Sequence, residues 1–400
     1  MPVTVVASSL VGGRGHSITR RHGRATCKVK WQQSEINELQ SGLHVFLIAH
    51  ATENVKLRVF REPIGMANVR EVMGDGATTA NDVAKLSKGR DANWPVVLFF
   101  IHVHLLSLYG LWILFVEAKI LTIILLVLLT SFATLGVTTG AHRLWAHRTY
   151  TATTELRIFL MLCQTLVGQG SIYDWVQTHR LHHAHANTDG DPYDSTKGFM
   201  YAHLVTRMRN LSPYQEALKN SIDMSDLEND SVVMFQKRFY WILYGILFIL
   251  LPVNAPLEYW DDSILSAVFV IGFLRYALVL HASWLVESGV NVWGLQAGEK
   301  YPPDSNTVFI LNRTFWPHYH YIYPCDYKSG EYGSYGSGCS TAFIRVWAAL
   351  GLATNLKTID TSTIQRALAD AAVSKRPLNK CIEEAIKKQT LPEEHYLKRG

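Results

Sequence analysis

Four stretches of the chain carry almost nothing but apolar side chains. VVLFFIHVHLLSLYGLWILFV (96–116) and ILTIILLVLLTSFATLGVTTG (120–140) form a first pair; FYWILYGILFILLPV (239–253) and ILSAVFVIGFLRYALVL (264–280) form a second. A bilayer core of ~30 Å is crossed by about 20 apolar residues in helix, so the first pair is long enough outright. The second pair is shorter or carries a charge, Arg275, and spans with tilt or help from its flanks, which takes the fourth span to about residue 282. A buried helix of a soluble protein is the plainer alternative for each run, and it suits the second pair better than the first.

The segments between the runs differ in charge. Only Glu117-Ala118-Lys119 joins the first two, and NAPLEYWDD (254–262), which is acidic and holds no Lys or Arg, joins the others. The connector between the pairs, about 141–238, is rich in Lys, Arg and His. Basic segments stay in the cytosol, so this asymmetry predicts two membrane hairpins with both termini and the connector on that side. Residues 1–90 differ in kind: the first 34 contain no Asp or Glu but carry Arg14, Arg20, Arg21, Arg24, Lys28 and Lys30. They read as a flexible basic region, with an organelle-targeting peptide as the alternative. No cleavable secretory signal is expected, because the stretch from Met1 has no long apolar core. The expected layout is a basic region over 1–90, a membrane domain over 91–370 and a polar tail over 371–400, without internal repeats. The bilayer is the partner this layout implies, and no nucleic-acid partner is expected.

Histidines crowd the connector. GAHRLWAHRTY places His142 and His147 five apart where the second run ends, and DWVQTHRLHHAHANTDGDPYD places His179, His182 and His183 at i, i+3 and i+4, one face of a helix. Each alone reads as a surface or capping residue. Three on one face, with a second pair at a membrane boundary, read as metal ligands. Imidazole takes iron, zinc or copper, whereas magnesium and calcium want oxygen. The HExxH of zinc hydrolases is missing. Cys27, Cys163, Cys325, Cys339 and Cys381 show no paired spacing, which gives a thiolate zinc site no support and fits a reducing compartment or plain packing. Iron used with oxygen fits an all-imidazole set beside a membrane at least as well as zinc. Attack on an unactivated C–H bond of a lipid chain lies beyond acid–base chemistry and needs such a cofactor. A third cluster, WPHYHYIYPCDY (316–327), carries His318 and His320.

GAHRLWAHR, SIYDWV with HRLHH, NTDGDPYD, SDLENDSVVMFQKRFY, LHASWLV with WG following, and DYKSGEYG together resemble the animal membrane acyl-CoA desaturases of the stearoyl-CoA delta-9 type. The likeness runs over roughly residues 94 to 365 in the expected order. It implies an all-α integral membrane fold, with four transmembrane helices in two hairpins under a cytosolic helical cap that holds a histidine-rich di-iron site. It further implies a fatty acyl-CoA substrate, O2, electrons from cytochrome b5, insertion of a double bond, and residence in the endoplasmic reticulum membrane.

Carried over position by position, the likeness assigns His142, His147, His179, His182, His183 and His320 as ligands, six of nine. The family's third box, WHNYHH, stands here as Trp316, Pro317, His318, Tyr319, His320 and Tyr321, so Pro317 and Tyr321 replace two ligands and His318 falls on an Asn. WLVNSAAHLWG stands as WLVESGVNVWG: Asn291 replaces the remaining histidine, and Glu287 replaces an Asn that supports a metal-bound water. Glu287, His318 and Tyr321 are the candidate substitute ligands. His318 and His320, two apart, reach one metal only from extended backbone, since a helix would turn them ~200° from each other. Tyr321 would have to ligate as a phenolate against a free pKa of ~10. A carboxylate such as Glu287 is a good iron ligand, two His with one carboxylate being a known pattern.

On the substrate side, Gln177-Thr178 stands where the family has Arg-Asp, and Asn210-Leu211 where it has a basic pair for the CoA phosphates. Arg207 and Arg209 are nearby substitutes. Trp145, Asp189 and Asp191 are further candidates for the tunnel or for supporting the ligands, although acids in TDGD also cap helices. Three outcomes stay open: desaturation with two irons, altered chemistry with one, and an inactive paralogue that binds lipid or a partner. A membrane hydroxylase on the same scaffold ranks behind these.

Overall fold

A computed structural model describes residues 80–293, 315–332, 335–359, 361–376 and 378–388, all within the unit Glu62–Gly400. The expectations for residues 1–79 and 389–400 lie outside the described residues. In chain order the main helices are α1 (Trp94–Val116), α2 (Ile120–Ala146), α3 (Thr154–Thr165), α4 (Ile172–Ala184), α5 (Ser231–Trp260), α6 (Ser266–Val292), α7 (Phe315–Ile322), α8 (Cys339–Ala349), α9 (Thr361–Ser374) and α10 (Leu378–Lys388). Among the described residues sheet is confined to two-residue strands, β1 (Thr151–Ala152) and β2 (Ala353–Thr354), paired antiparallel.

Helices α1, α2, α5 and α6 are each long and apolar enough to cross a membrane. They carry large apolar side chains on their outer faces, among them Leu105, Trp112, Phe115 and Leu128, as lipid-facing helices do. Three of them run well past the apolar stretches of sequence. In two of them the extra turns are polar but buried: α2 continues to Ala146 through His142 and Arg143, and α6 to Val292 through Glu287 and Ser288. The spanning helices thus deliver polar residues directly into the cap.

Close backbone approach fixes α1 against α6. A Cβ on Gly110 would lie 2.2 Å from the Phe269 carbonyl oxygen, and the Ser107 hydroxyl donates to the Phe273 carbonyl at 2.8 Å. Small residues permit such contacts between spans, where lipid leaves no hydrophobic drive to bring helices together. Gly110→Val is therefore expected to destabilise by roughly 1–3 kcal/mol, the usual cost of overpacking. A thermal melt of the detergent-solubilised variant that matched the parent would count against this contact.

Arg275, the charge in the fourth apolar run, is fully buried. Its Nε donates to the Ile271 carbonyl at 2.7 Å and its Nη2 to the Phe248 carbonyl of α5 at 2.6 Å, with Cζ 4.3 Å from the Phe248 ring. Residues Tyr244–Leu250 of α5 wind in wide i→i+5 turns, which displace a carbonyl from its ordinary partner. At the end of the hairpins away from the histidines, Asp262 accepts from the Lys119 backbone N–H at 3.0 Å and from the Thr122 hydroxyl, tying the α1–α2 turn to the α5–α6 turn.

The cap covers the other end. Its core joins Leu144 and Trp145 of α2, Leu156 and Leu160 of α3, and Ile172 and Val176 of α4. A second cluster sets Tyr319 of α7 against Ile364 and Ala367 of α9 and Cys381 and Ile382 of α10. Residues 371–374 and 378–388, expected within a polar tail, are helical. Ala371, Cys381 and Ile382 there are buried in one cluster with Tyr319 and Tyr323 of the 316–327 run.

Candidate metal centre

His142 and His147 are set in place by an unusual wind of the backbone. Residues Gly136–Ala146 close α2 in wide turns, and the His147 N–H donates to the His142 carbonyl, five residues back, at 3.0 Å. In an ordinary helix residues five apart stand ~140° from each other around the axis. The wide turn brings them together instead, and their rings meet edge-on with centroids 4.7 Å apart. Such turns recur at functional sites because they re-aim side chains. Gly136 opens the segment where a Cβ would come 2.4 Å from the Cys163 backbone of α3.

Helix α4 starts at Ser171, whose hydroxyl accepts from the Asp174 N–H at 3.2 Å. Four residues apart on it, His179 and His183 share a face, their rings 4.8 Å apart, and Trp175 stacks on His179 at 4.9 Å. Helix α7 is held by Tyr319, which is fully buried and donates its hydroxyl to Asp326 at 2.8 Å. Its neighbour His320 then meets the other four.

One ring nitrogen from each of His142, His147, His179, His183 and His320 lies within 4.8 Å of all the rest, a grouping that can hold a metal ion. The Nε2 atoms of His147 and His179 are 2.9 Å apart, and those of His142 and His320 3.1 Å. Two nitrogens each about 2.1 Å from one ion and at right angles are separated by ~3.0 Å, so these spacings suit neighbouring ligands of one ion. Burial, and then the neighbouring imidazoles, hold His147, His179, His183 and His320 well below the ordinary histidine pKa. Neutral imidazole is the ligating form. A cavity of about 20 Å³ borders His142, His179, His183 and His320, just above the ~10–15 Å³ that a single water-sized occupant needs.

Glu331, which the sequence motifs did not single out, supports this group. Its carboxylate takes the His142 Nδ1–H at 2.9 Å and both prongs of Arg143, from Nε at 2.7 Å and Nη2 at 2.9 Å. Burial works against its charge, but Arg143 and His142 outweigh burial and hold its pKa at about 2. With Nδ1 donating, the Nε2 of His142 is left bare for a metal.

His182 is placed differently from its four connector neighbours. Its Nδ1–H donates to Asp191 at 2.7 Å, so its Nε2 is an acceptor, and the Tyr321 hydroxyl donates to that atom at 2.9 Å. It stands outside the five-histidine grouping. Burial, then Asp191 and Glu287, raise the Tyr321 pKa, which works against the phenolate that ligation requires. Glu287, 1% exposed, accepts from Arg207 Nη2 at 2.9 Å through one oxygen, while the other lies 3.7 Å from His179 Nδ1.

The remaining candidates fall as follows. The Asn291 amide donates to the Ser195 carbonyl at 2.8 Å. Residues 315–322 are helical, so the extended backbone that would aim His318 and His320 at one metal is not adopted; the side chains of Pro317 and His318 lie outside the described residues. Trp145 is buried and donates its indole N–H to Asp230 at 3.2 Å, bracing α2 against the start of α5. Asp189 is exposed and pairs with Lys88 at 3.0 Å. Arg207, expected near the CoA phosphates, is turned inward onto Glu287, whereas Arg209 is exposed.

No family model matches the chain. It is 42% identical over 280 residues to the acyl-CoA Delta-9 desaturase of Acheta domesticus, covering 69% of this chain and 78% of that protein. Against the acyl-CoA Delta12-desaturase of the same insect the identity is 37% over 275 residues, 68% of this chain and 77% of the relative. Stearoyl-CoA desaturase 4 of Mus musculus is 34% identical over 274 residues, 68% of this chain and 77% of that one.

Proposed function

The chain belongs to the acyl-CoA desaturases, a family of oxidoreductases, and from that premise we propose that it introduces a double bond into a fatty acyl-CoA at an iron centre held by His142, His147, His179, His183 and His320. The observation that carries this reading is the convergence of five imidazoles on one point, at ligand spacing, at the cap end of the spanning helices. Bound iron, used with O2, supplies the oxidising power that an unactivated C–H bond demands. The protein's own groups do the rest. Glu331 fixes the tautomer of His142, Trp175 holds the plane of His179, and the buried walls around His142, His147 and His179 keep bulk water from the reacting chain.

The electron donor in this proposal is cytochrome b5, and the site of action the endoplasmic reticulum membrane, with both termini and the cap in the cytosol. The acidic turn at 254–262 against the basic connector supports that orientation. Arg209, exposed at the cap surface, is the cation left for the CoA phosphates. A second reading, an inactive paralogue that binds lipid or a partner, draws on the loss of Asn291, Pro317 and Tyr321 as histidines and on the pairing of Tyr321 with His182.

Expression in cells lacking their own desaturase separates the two. The active reading expects new monounsaturated acyl chains by gas chromatography, abolished by His183→Ala. A well-expressed, membrane-inserted protein that leaves the acyl profile flat would establish the inactive one.

A further inference from the structure

The two irons that the resemblance implies do not both fit the residues present. Beyond the five histidines, a second ion would have to be held by His182 and by positions 287, 291, 317 and 321, and His182, Glu287, Asn291 and Tyr321 each have other partners. His182 has both ring nitrogens taken, one by Asp191 at 2.7 Å and one by the Tyr321 hydroxyl at 2.9 Å. Asn291 is turned to the Ser195 carbonyl. Pro317 has no side-chain donor atom by its chemistry. The one remaining anionic candidate, Glu287, is already neutralised: the Arg207 guanidinium donates to it at 2.9 Å and lies 4.2 Å over the Tyr193 ring, which itself packs on His182.

We infer that Arg207 takes the place of the second metal ion, so that the protein holds a single iron in its five histidines. The inference rests on the reading of those histidines as the iron centre. A guanidinium is permanently charged and planar, and it weakens the draw of the carboxylate it pairs with on a dication, because the two cations repel at short range. The arrangement leaves Glu287 a different task. Its free oxygen faces Nδ1 of His179 at 3.7 Å, and neither atom has another hydrogen-bond partner. With Nε2 of His179 on the metal, Nδ1 must carry the hydrogen, and Glu287 is the carboxylate towards which it points. Glu287 is in this way a positioning residue for His179, as Glu331 is for His142.

The test is a metal count, independent of turnover. Purified full-length protein, saturated with Fe(II) and cleared of loose ions, is expected to hold one iron per chain by plasma mass spectrometry. After oxidation it should show the EPR signal of an isolated high-spin ferric ion rather than the silence of a coupled pair. Two irons per chain would overturn the replacement while leaving the five-histidine centre intact; none would overturn the centre itself. Arg207→Leu, which frees the Glu287 carboxylate, is expected to raise the count from one to two, and adding Glu287→Gln to return it to one. If the leucine variant does not fold, Arg207→Gln carries the same comparison, since it removes the charge and keeps a hydrogen-bond donor. A folded Arg207 variant that stays at one iron would show that the guanidinium is not what excludes the second ion.

Discussion

Replacing His179 is expected to empty the metal centre and abolish double-bond formation, the largest effect of any single substitution in the cap. His179 touches more of the site than its neighbours do. Its Nε2 lies 2.9 Å from that of His147, its ring stacks on Trp175, and its Nδ1 faces Glu287. Removing a group that merely orients a metal ligand typically costs about 10–100-fold in metal affinity or activity, and losing a ligand costs more. The measurement is iron per chain together with the acyl profile, on both His179→Ala and the bulkier His179→Gln. If either variant keeps its iron and its product, another set of residues holds the metal. Arg209→Ala provides the contrast, because it lies outside the metal group and should leave the iron count unchanged.

The second large effect belongs to Glu331. In Glu331→Ala, Arg143 loses its ion-pair partner while staying in a site where it is only 1% exposed. Stranding one member of a buried pair costs about 3–5 kcal/mol, against which a domain's whole stability is ~5–15 kcal/mol. The expected result is a sharply lowered melting temperature and poor recovery from the membrane. Glu331→Gln separates the two duties of the residue. The amide still accepts from His142 or Arg143, so folding should partly recover while the charge that balances Arg143 is gone. A Glu331→Ala protein with the parent's melting temperature would mean that Arg143 finds another partner.

Much of this was legible along the chain, and the limits have physical causes. The apolar runs announced the spans because lipid demands continuous apolar helix, but not their full extent, since polar turns such as Arg143 or Glu287 carry no membrane signal. The i, i+3, i+4 spacing of His179, His182 and His183 predicted one helix, and all three lie on α4. It could not say that His179 and His183 face the other imidazoles while His182 turns to Asp191 and Tyr321, because three neighbours on a helix fan across a broad face. The pairing of His142 with His147 needed the wide turn, for which their spacing alone gave no reason. Glu331 and the Arg207–Glu287 pair join positions 189 and 80 residues apart, beyond the reach of any local pattern. Arg207 was expected among the phosphate contacts on nearness in sequence alone, and its guanidinium pairs with Glu287.

Arg275 bears on how the protein is made as well as on how it stands. A lone arginine near the middle of a span costs roughly 2.5–3.5 kcal/mol during insertion. Here its hydrogen bond to the Phe248 carbonyl crosses from the fourth span to the third, so the partner that relieves the charge arrives on the preceding helix. The last two spans should accordingly leave the translocation machinery as a hairpin already closed, the third waiting for the fourth. Shortening the turn that joins them, or replacing the residues that let it double back, would then harm topology in the nascent chain before it harmed any property of the finished enzyme.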